Sequence, residues 1–145
     1  MTQKTILLVE DNEDDEVLTL RALNRSDLFA RVDVVRDGVE ALEYLMCEGK
    51  YADRDCLSQP HLILLDFKLP KLDGADVVKA IRENAQTKHI PIVMLSTSIE
   101  EKDLRRCYDN GANSYVKKPL DFNEFMQIVT LLGVYWLTIN NMPQG

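Results

Sequence analysis

Ile63-Leu64-Leu65-Asp66-Phe67-Lys68-Leu69-Pro70-Lys71-Leu72-Asp73-Gly74 is the stretch on which the fold turns. An apolar run passes straight into one carboxylate, and a proline and a glycine close it. A run of this kind, bounded by turn signals, reads as a strand buried on both faces, as in parallel sheets. Asp66 then stands at the strand's carboxyl end, the edge where open α/β sheets bind their ligands. On position alone Asp66 serves equally well as a turn or helix cap. Its company elsewhere in the chain separates the two readings.

Toward the N-terminus, Thr5-Ile6-Leu7-Leu8-Val9 is a short buried strand that ends in acid: Glu10, Asp11, Glu13, Asp14, Asp15 and Glu16. Asp11 or Asn12 caps the helix that follows, and acids in its first turn favour the positive end of the dipole. A solvated helix start accounts for Asp14 to Glu16. It accounts less well for Glu10 and Asp11, which sit at the strand end. Arg31 to Val35 is a second strand, and Asp37-Gly38 turns the chain into a second helix. Residues 48–60 are polar and turn-rich and read as a surface loop.

Beyond Gly74, Ala75, Val77, Val78, Ala80 and Ile81 mark a third helix. His89 to Leu95 is a fourth strand ending in Ser96, Thr97 and Ser98. Ser98 with Glu101 has the form of a capping box opening a fourth helix, which Asn110-Gly111 stops. Ala112 to Lys117 is a short fifth strand reaching Lys118-Pro119, and Asp121 caps a last helix. Five alternations of strand and helix predict an α/β domain: a doubly wound five-stranded parallel sheet with helices on both faces.

At 145 residues the chain fits one domain with a real core. Its net charge of −7 argues against general nucleic-acid binding, because duplex phosphates repel such a surface. Cys47, Cys56 and Cys107 are an odd number without metal-ligand spacing, and no signal peptide opens the chain. A reduced, cytoplasmic setting is expected. No apolar stretch is expected to reach the roughly 20 residues of a bilayer span.

The strand ends carry the chemistry. Glu10 and Asp11 follow the first strand, Asp66 the third, Ser96 the fourth and Lys118 the fifth, all at one sheet edge. Three clustered carboxylates repel one another and favour a hard divalent cation, for which Mg²⁺ is suited. Lys118 and the Ser96 hydroxyl add a positive charge and a donor. The set fits a carboxylate nucleophile that takes up a phosphoryl group. Singly, Ser96 is more often a helix cap and Lys118 a surface lysine; the ordered set is far more specific.

In these residues the chain resembles a two-component response-regulator receiver domain. The resemblance rests on Leu8-Val9-Glu10-Asp11, Leu65-Asp66 with Leu69-Pro70 and Asp73-Gly74, Met94-Leu95-Ser96, Gly111-Ala112, and Tyr115 through Lys118-Pro119. It covers nearly the whole chain. It implies a flavodoxin-like fold with five helices and strand order 2-1-3-4-5, read as one receiver over 1–145 without an output domain. It implies that a sensor histidine kinase phosphorylates Asp66, with Mg²⁺ held by Glu10, Asp11, Asp66 and the backbone carbonyl of Lys68. It makes Ser96 and Tyr115 a switch pair, the hydroxyl moving toward the phosphoryl group and the ring following inward. The loop over 47–60 and the ending from Phe125 to Pro143 resemble the small single-domain regulators that partner bacterial and cyanobacterial phytochrome kinases.

Lys68, two residues past the acceptor, and Thr97, beside Ser96, depart from the family's usual residues. Both are expected to lengthen the phosphoryl lifetime. Glu10 replaces the commoner Asp. On the last helix Phe125, Val129, Leu132, Trp136 and Ile139 form one apolar stripe. Ile128, Leu131, Val134, Tyr135 and Leu137 are apolar on other sides. A homodimer through this helix is expected, with Ile128, Leu131, Tyr135 and Trp136 on the shared face.

Other classes fit less well. A haloacid-dehalogenase-type hydrolase needs a second Asp at position 68, which is Lys. A flavin-binding protein needs a phosphate loop where Glu10-Asp11-Asn12-Glu13-Asp14 would repel phosphate. A receiver-like docking module that takes no phosphate is the remaining alternative. Neither nucleic acid nor membrane is expected as a partner.

Overall fold

In the computed structural model, residues 3–25, 28 and 30–143 are described. The strands are β1 (Lys4–Val9), β2 (Ala30–Val35), β3 (Leu62–Leu65), β4 (Ile92–Ser96) and β5 (Ser114–Lys117). The helices are α1 (Glu13–Arg25), α2 (Gly38–Met46), α3 (Gly74–Glu83), α4 (Glu101–Asn110) and α5 (Phe122–Val134). They are joined by a 3₁₀ turn at Gly49–Tyr51 and a π-helical turn at Tyr135–Ile139, which prolongs α5. All strand pairs are parallel and the order is 2-1-3-4-5, as expected.

The continuous apolar runs of β1, β3 and β4 exist because both sheet faces are covered. Leu7, Val9, Ile63, Leu65, Ile92 and Met94 pack with α2, α3 and α4 on one face. Ile6, Leu8, Leu62, Leu64, Val93 and Leu95 pack with α1 and α5 on the other. Register then fixes the site: Val9 pairs with Val35 and Leu65, Leu65 with Met94, and Ser96 with Lys117. The residues just past these pairs emerge at one edge.

Four helices carry side-chain caps, of which Asn12 and Asp121 are expected from the sequence and Asp37 and Asp73 are not. Asn12 accepts from Asp15 N–H, Asp37 from Glu40, Asp73 from Asp76 and Asp121 from Glu124. The fifth differs. α4 starts without a side-chain cap, and the Ser98 hydroxyl donates to Asp103 instead of forming a capping box with Glu101. At Gly74 a Cβ would lie 2.6 Å from the Asp66 carbonyl and 2.8 Å from Phe67 Cα, so only glycine lets the loop after β3 fold back on the acceptor strand.

Two further expectations are corrected, the reduced state of all the cysteines and the reach of the apolar stripe. Cys47 and Cys56 form a disulfide with Cα atoms 5.9 Å apart, closing the loop after α2, and Cys107 is the free, buried thiol. Phe122–Ile139 is an 18-residue, largely apolar helix whose inner side packs on α1 and the sheet, as in the core helix of a globular domain. The apolar stripe predicted on that helix also fails at its end. The π turn adds a residue to the last turn, so Leu137 is buried while Ile139 is 60% exposed.

Candidate functional site

Backbone bonds of the sheet continue one residue past the strands and set the positions of the site residues. Glu10 N–H donates to the Val35 carbonyl at 3.0 Å, Asp66 N–H to that of Val9 at 3.1 Å, and Lys118 N–H to that of Ser96 at 2.8 Å. Glu10, Asp66 and Lys118 therefore project from strand ends with little freedom. Asp11 stands in the exposed turn that opens α1.

The Lys118 ammonium lies among three carboxylates: 2.7 Å from Glu10 Oε1, 2.9 Å from Asp15 Oδ2 and 3.1 Å from Asp66 Oδ2. Glu10 Oε2 also accepts from Asn12 N–H at 3.3 Å. Burial opposes the charge on Lys118, but the carboxylates, Asp66 foremost, outweigh it and hold the ammonium protonated above its usual range. One cation cannot balance so many acids. Burial pushes Glu10 up to about 7, against the pull of Lys118 and with the help of Asp66.

Glu10, Asp11 and Asp66 each offer a carboxylate oxygen within 4.8 Å of the others. Hard oxygen donors in excess of the single ammonium suit a divalent cation, so the residues present fit the metal that the sequence implied. The cluster runs from the buried Glu10 to the exposed Asp11, leaving one side open to an incoming phosphoryl donor.

Ser96 is fully buried, and its Oγ accepts the Ser98 N–H at 3.2 Å. The Tyr115 hydroxyl donates to the Ser98 carbonyl at 2.6 Å. Burial raises the Tyr115 pKa, against the influence of Ser96 and Ser98. Lys68 and Thr97 are exposed, two residues past Asp66 and one past Ser96 in sequence. On the prolonged last helix Leu131 and Tyr135 are exposed, whereas Ile128 and Trp136 are half-buried, and Trp136 meets the Tyr135 ring edge-on at 5.0 Å.

Asp15 escapes a reading of strand ends alone. It sits in the first turn of α1, and its carboxylate reaches Lys118 from there. Ser98 reads in sequence only as a cap, yet it joins Ser96 to Tyr115.

The family model of the response regulator receiver domain matches residues 6–130. The chain belongs to the response-regulator receiver family. Among curated relatives, this receiver is 41% identical over 138 residues to the probable methanogenesis regulatory protein FilR2 of Methanothrix harundinacea, covering 95% of this chain and 86% of FilR2. It is 35% identical over 140 residues to response regulator Rcp1 of Synechocystis, covering 97% and 93%. Among solved structures, the phosphorylated cyanobacterial phytochrome response regulator RcpA superposes with a TM-score of 0.92 at 42% identity, covering 99% of this chain and 100% of RcpA. The Mn²⁺-bound form of Rcp1 superposes with a TM-score of 0.89 at 35% identity, covering 97% and 99%. As a receiver, this domain is a phosphoacceptor of two-component signalling and a signalling module, and the phosphate-independent alternative is not favoured.

Proposed function

We propose that Asp66 is the phosphoacceptor, that Mg²⁺ is the working metal, and that the donor is the phosphohistidine of a cytoplasmic sensor kinase of the phytochrome class. The observation that carries the assignment is the Lys118 ammonium 3.1 Å from Asp66 Oδ2 within a cluster of acids. The kinase class is supported by the similarity to Rcp1 and RcpA across almost the entire chain.

In the transfer an Asp66 carboxylate oxygen attacks phosphorus, a P–O bond forms, and the P–N bond to the kinase imidazole breaks. Lys118 pairs with Asp66 before attack and faces the phosphoryl oxygens after it. Glu10 and Asp11, with Asp66 and the Lys68 carbonyl, would hold the metal, which when bound would supply Lewis-acid neutralisation of those oxygens. Ser96 gives a hydroxyl to one phosphoryl oxygen, and Tyr115 follows Ser96 inward. Lys68 and Thr97 slow attack by hydrolytic water. The signal leaves by protein contact, through a homodimer on the last helix, with no role for nucleic acid.

Phosphate-affinity gel mobility after incubation with acetyl phosphate tests the assignment. A retarded band that needs Mg²⁺, vanishes with chelator and is absent in Asp66→Asn is expected. A folded wild type that gives no such band overturns it. Transfer from a purified phytochrome kinase, faster than from a kinase of another sensor class, tests the donor.

A further inference from the structure

Ser96, Tyr115 and α4 are all tied through Ser98. Its N–H binds Ser96 Oγ at 3.2 Å, its carbonyl accepts the Tyr115 hydroxyl at 2.6 Å, and its hydroxyl donates to Asp103 Oδ2 at 2.8 Å. Ser98 and Asp103 are each only 8% exposed. A carboxylate so placed in the first turn of α4 gains from the helix dipole, but its burial is costly unless a donor meets it, and Ser98 is that donor.

We infer that Asp103 is a positioning residue for the phosphorylation switch: through Ser98 it anchors the β4–α4 loop to α4 and holds Ser96 in its unphosphorylated position. The inference rests on the phosphoacceptor reading of Asp66. For the Ser96 hydroxyl to turn to a phosphoryl group, the Ser98 N–H must lose its acceptor or move with it. Ser98 is held from the other side by a charge-assisted bond to a helix. Either that bond breaks or the start of α4 shifts with the loop. The same bond thus resists the switch and couples it to α4, and its removal costs the resting state, where it is fully formed, more than the switched one. Asp103 is outside the metal set; its hydrogen bond is to Ser98, and its charge is also felt at Tyr115 and Cys107, so Ser98→Ala, which keeps that charge, isolates the bond.

The test uses the whole chain with acetyl phosphate and Mg²⁺, comparing Ser98→Ala, Asp103→Ala, the double variant and Ser98→Thr. Removing a hydrogen bond to a buried charge should speed Asp66 phosphorylation by about tenfold. Both single variants and the double variant should share that gain, because one bond is lost in each. Ser98→Thr, which keeps the hydroxyl, should stay near wild type. Hydrogen exchange with and without beryllium fluoride gives the second readout. The protection change over residues 101–107, clear in wild type, should shrink in the alanine variants. Should Asp103→Ala fail to fold, Ser98→Ala with its threonine rescue decides alone. Unchanged rates, or gains that add in the double variant, overturn the inference while leaving Asp66 as acceptor. A folded wild type that takes no phosphoryl group overturns both.

Discussion

Lys118 and Glu10 form a buried ion pair, Nζ to Oε1 at 2.7 Å, with 5% and 2% of their side chains exposed. Pairs this deep gain little net stability from charge attraction, because desolvation offsets it. The arrangement therefore points to function, and it leaves a pH signature. Glu10 titrates near 7 in the fold instead of its ordinary 4.5. Folding thus favours its protonated form. The contribution is fully present below about 4.5 and is lost as pH rises through about 7, worth about 3 kcal/mol across that window. Lys118, raised from 10.5, adds no slope there. In urea unfolding with chelator, Glu10→Gln should lack this fall. A stability difference between wild type and Glu10→Gln that stays flat from pH 5 to 8 would refute the assignment.

Divalent metal should reverse the trend, since it takes the place of the proton in the cluster. With Mg²⁺ at a hundred times its dissociation constant the fold gains about 2.7 kcal/mol. For a domain of this size that raises Tm by roughly 5–10 °C. Asp11→Asn removes one of the three clustered carboxylates and should move the Mg²⁺ titration of Tm to higher concentration. Equal titrations for the two proteins would remove Asp11 from the metal set.

Lys68 and Thr97 are exposed and adjoin Asp66 and Ser96 in sequence, and they are proposed to hinder hydrolytic water. Lys68→Asn and Thr97→Ala should each hasten loss of the phosphoryl group several-fold, without changing Tm, because surface substitutions seldom shift stability by more than about 0.5 kcal/mol. Decay of the retarded gel band after removal of the donor gives the rates. Decay no faster than wild type in both variants would leave lifetime control elsewhere.

The Cys47–Cys56 bridge closes a loop nine residues apart in sequence, and chain-entropy arguments give such a loop about 3 kcal/mol at most. Arg54 also ties it, donating to the Tyr44 and Ser58 carbonyls and to Gln59 Oε1. Reduction should thus cost less than the full entropic term and leave the sheet intact. Residue 47 is left-handed, at φ 58°, so Cys47→Gly should be about 0.5–1 kcal/mol more stable than Cys47→Ala in the same reduced background. Urea midpoints of the two variants decide the matter, and equal midpoints would deny the backbone effect.

Much of this was legible because each apolar run is a whole strand. β3 ends at Leu65, so the acid after it had to emerge at the sheet edge, and the same logic placed Glu10, Ser96 and Lys118. What stayed hidden depends on side chains meeting across elements. Asp15 reaches Lys118 only because α1 leans over the strand ends. Ser98 finds Asp103 rather than Glu101 because the loop enters α4 without a cap. Cysteine spacing carries no pairing, so the bridge was not readable. A periodicity of 3.6 assumes an unbroken α-helix, and the π turn after Val134 exchanged the roles of Leu137 and Ile139.

That exchange bears on how the receiver assembles. Leu131, Tyr135 and Ile139 are 67%, 45% and 60% exposed on one prolonged helix, more apolar surface than a helix facing only water carries. Leu131 and Tyr135 are four residues apart and share a face, while Trp136 and Leu137 turn toward the protein. A second copy laid on this face would cover the exposed side chains without disturbing the core. Leu131→Glu and Tyr135→Glu should therefore keep the wild-type Tm yet yield monomer in sedimentation equilibrium at tens of micromolar, where wild type should form the proposed dimer. The charge acts by desolvation, because a carboxylate enclosed between two copies without a cation is costly. A wild type that sediments as monomer both with and without beryllium fluoride would free this face from dimerisation and leave its apolar side chains to a different protein.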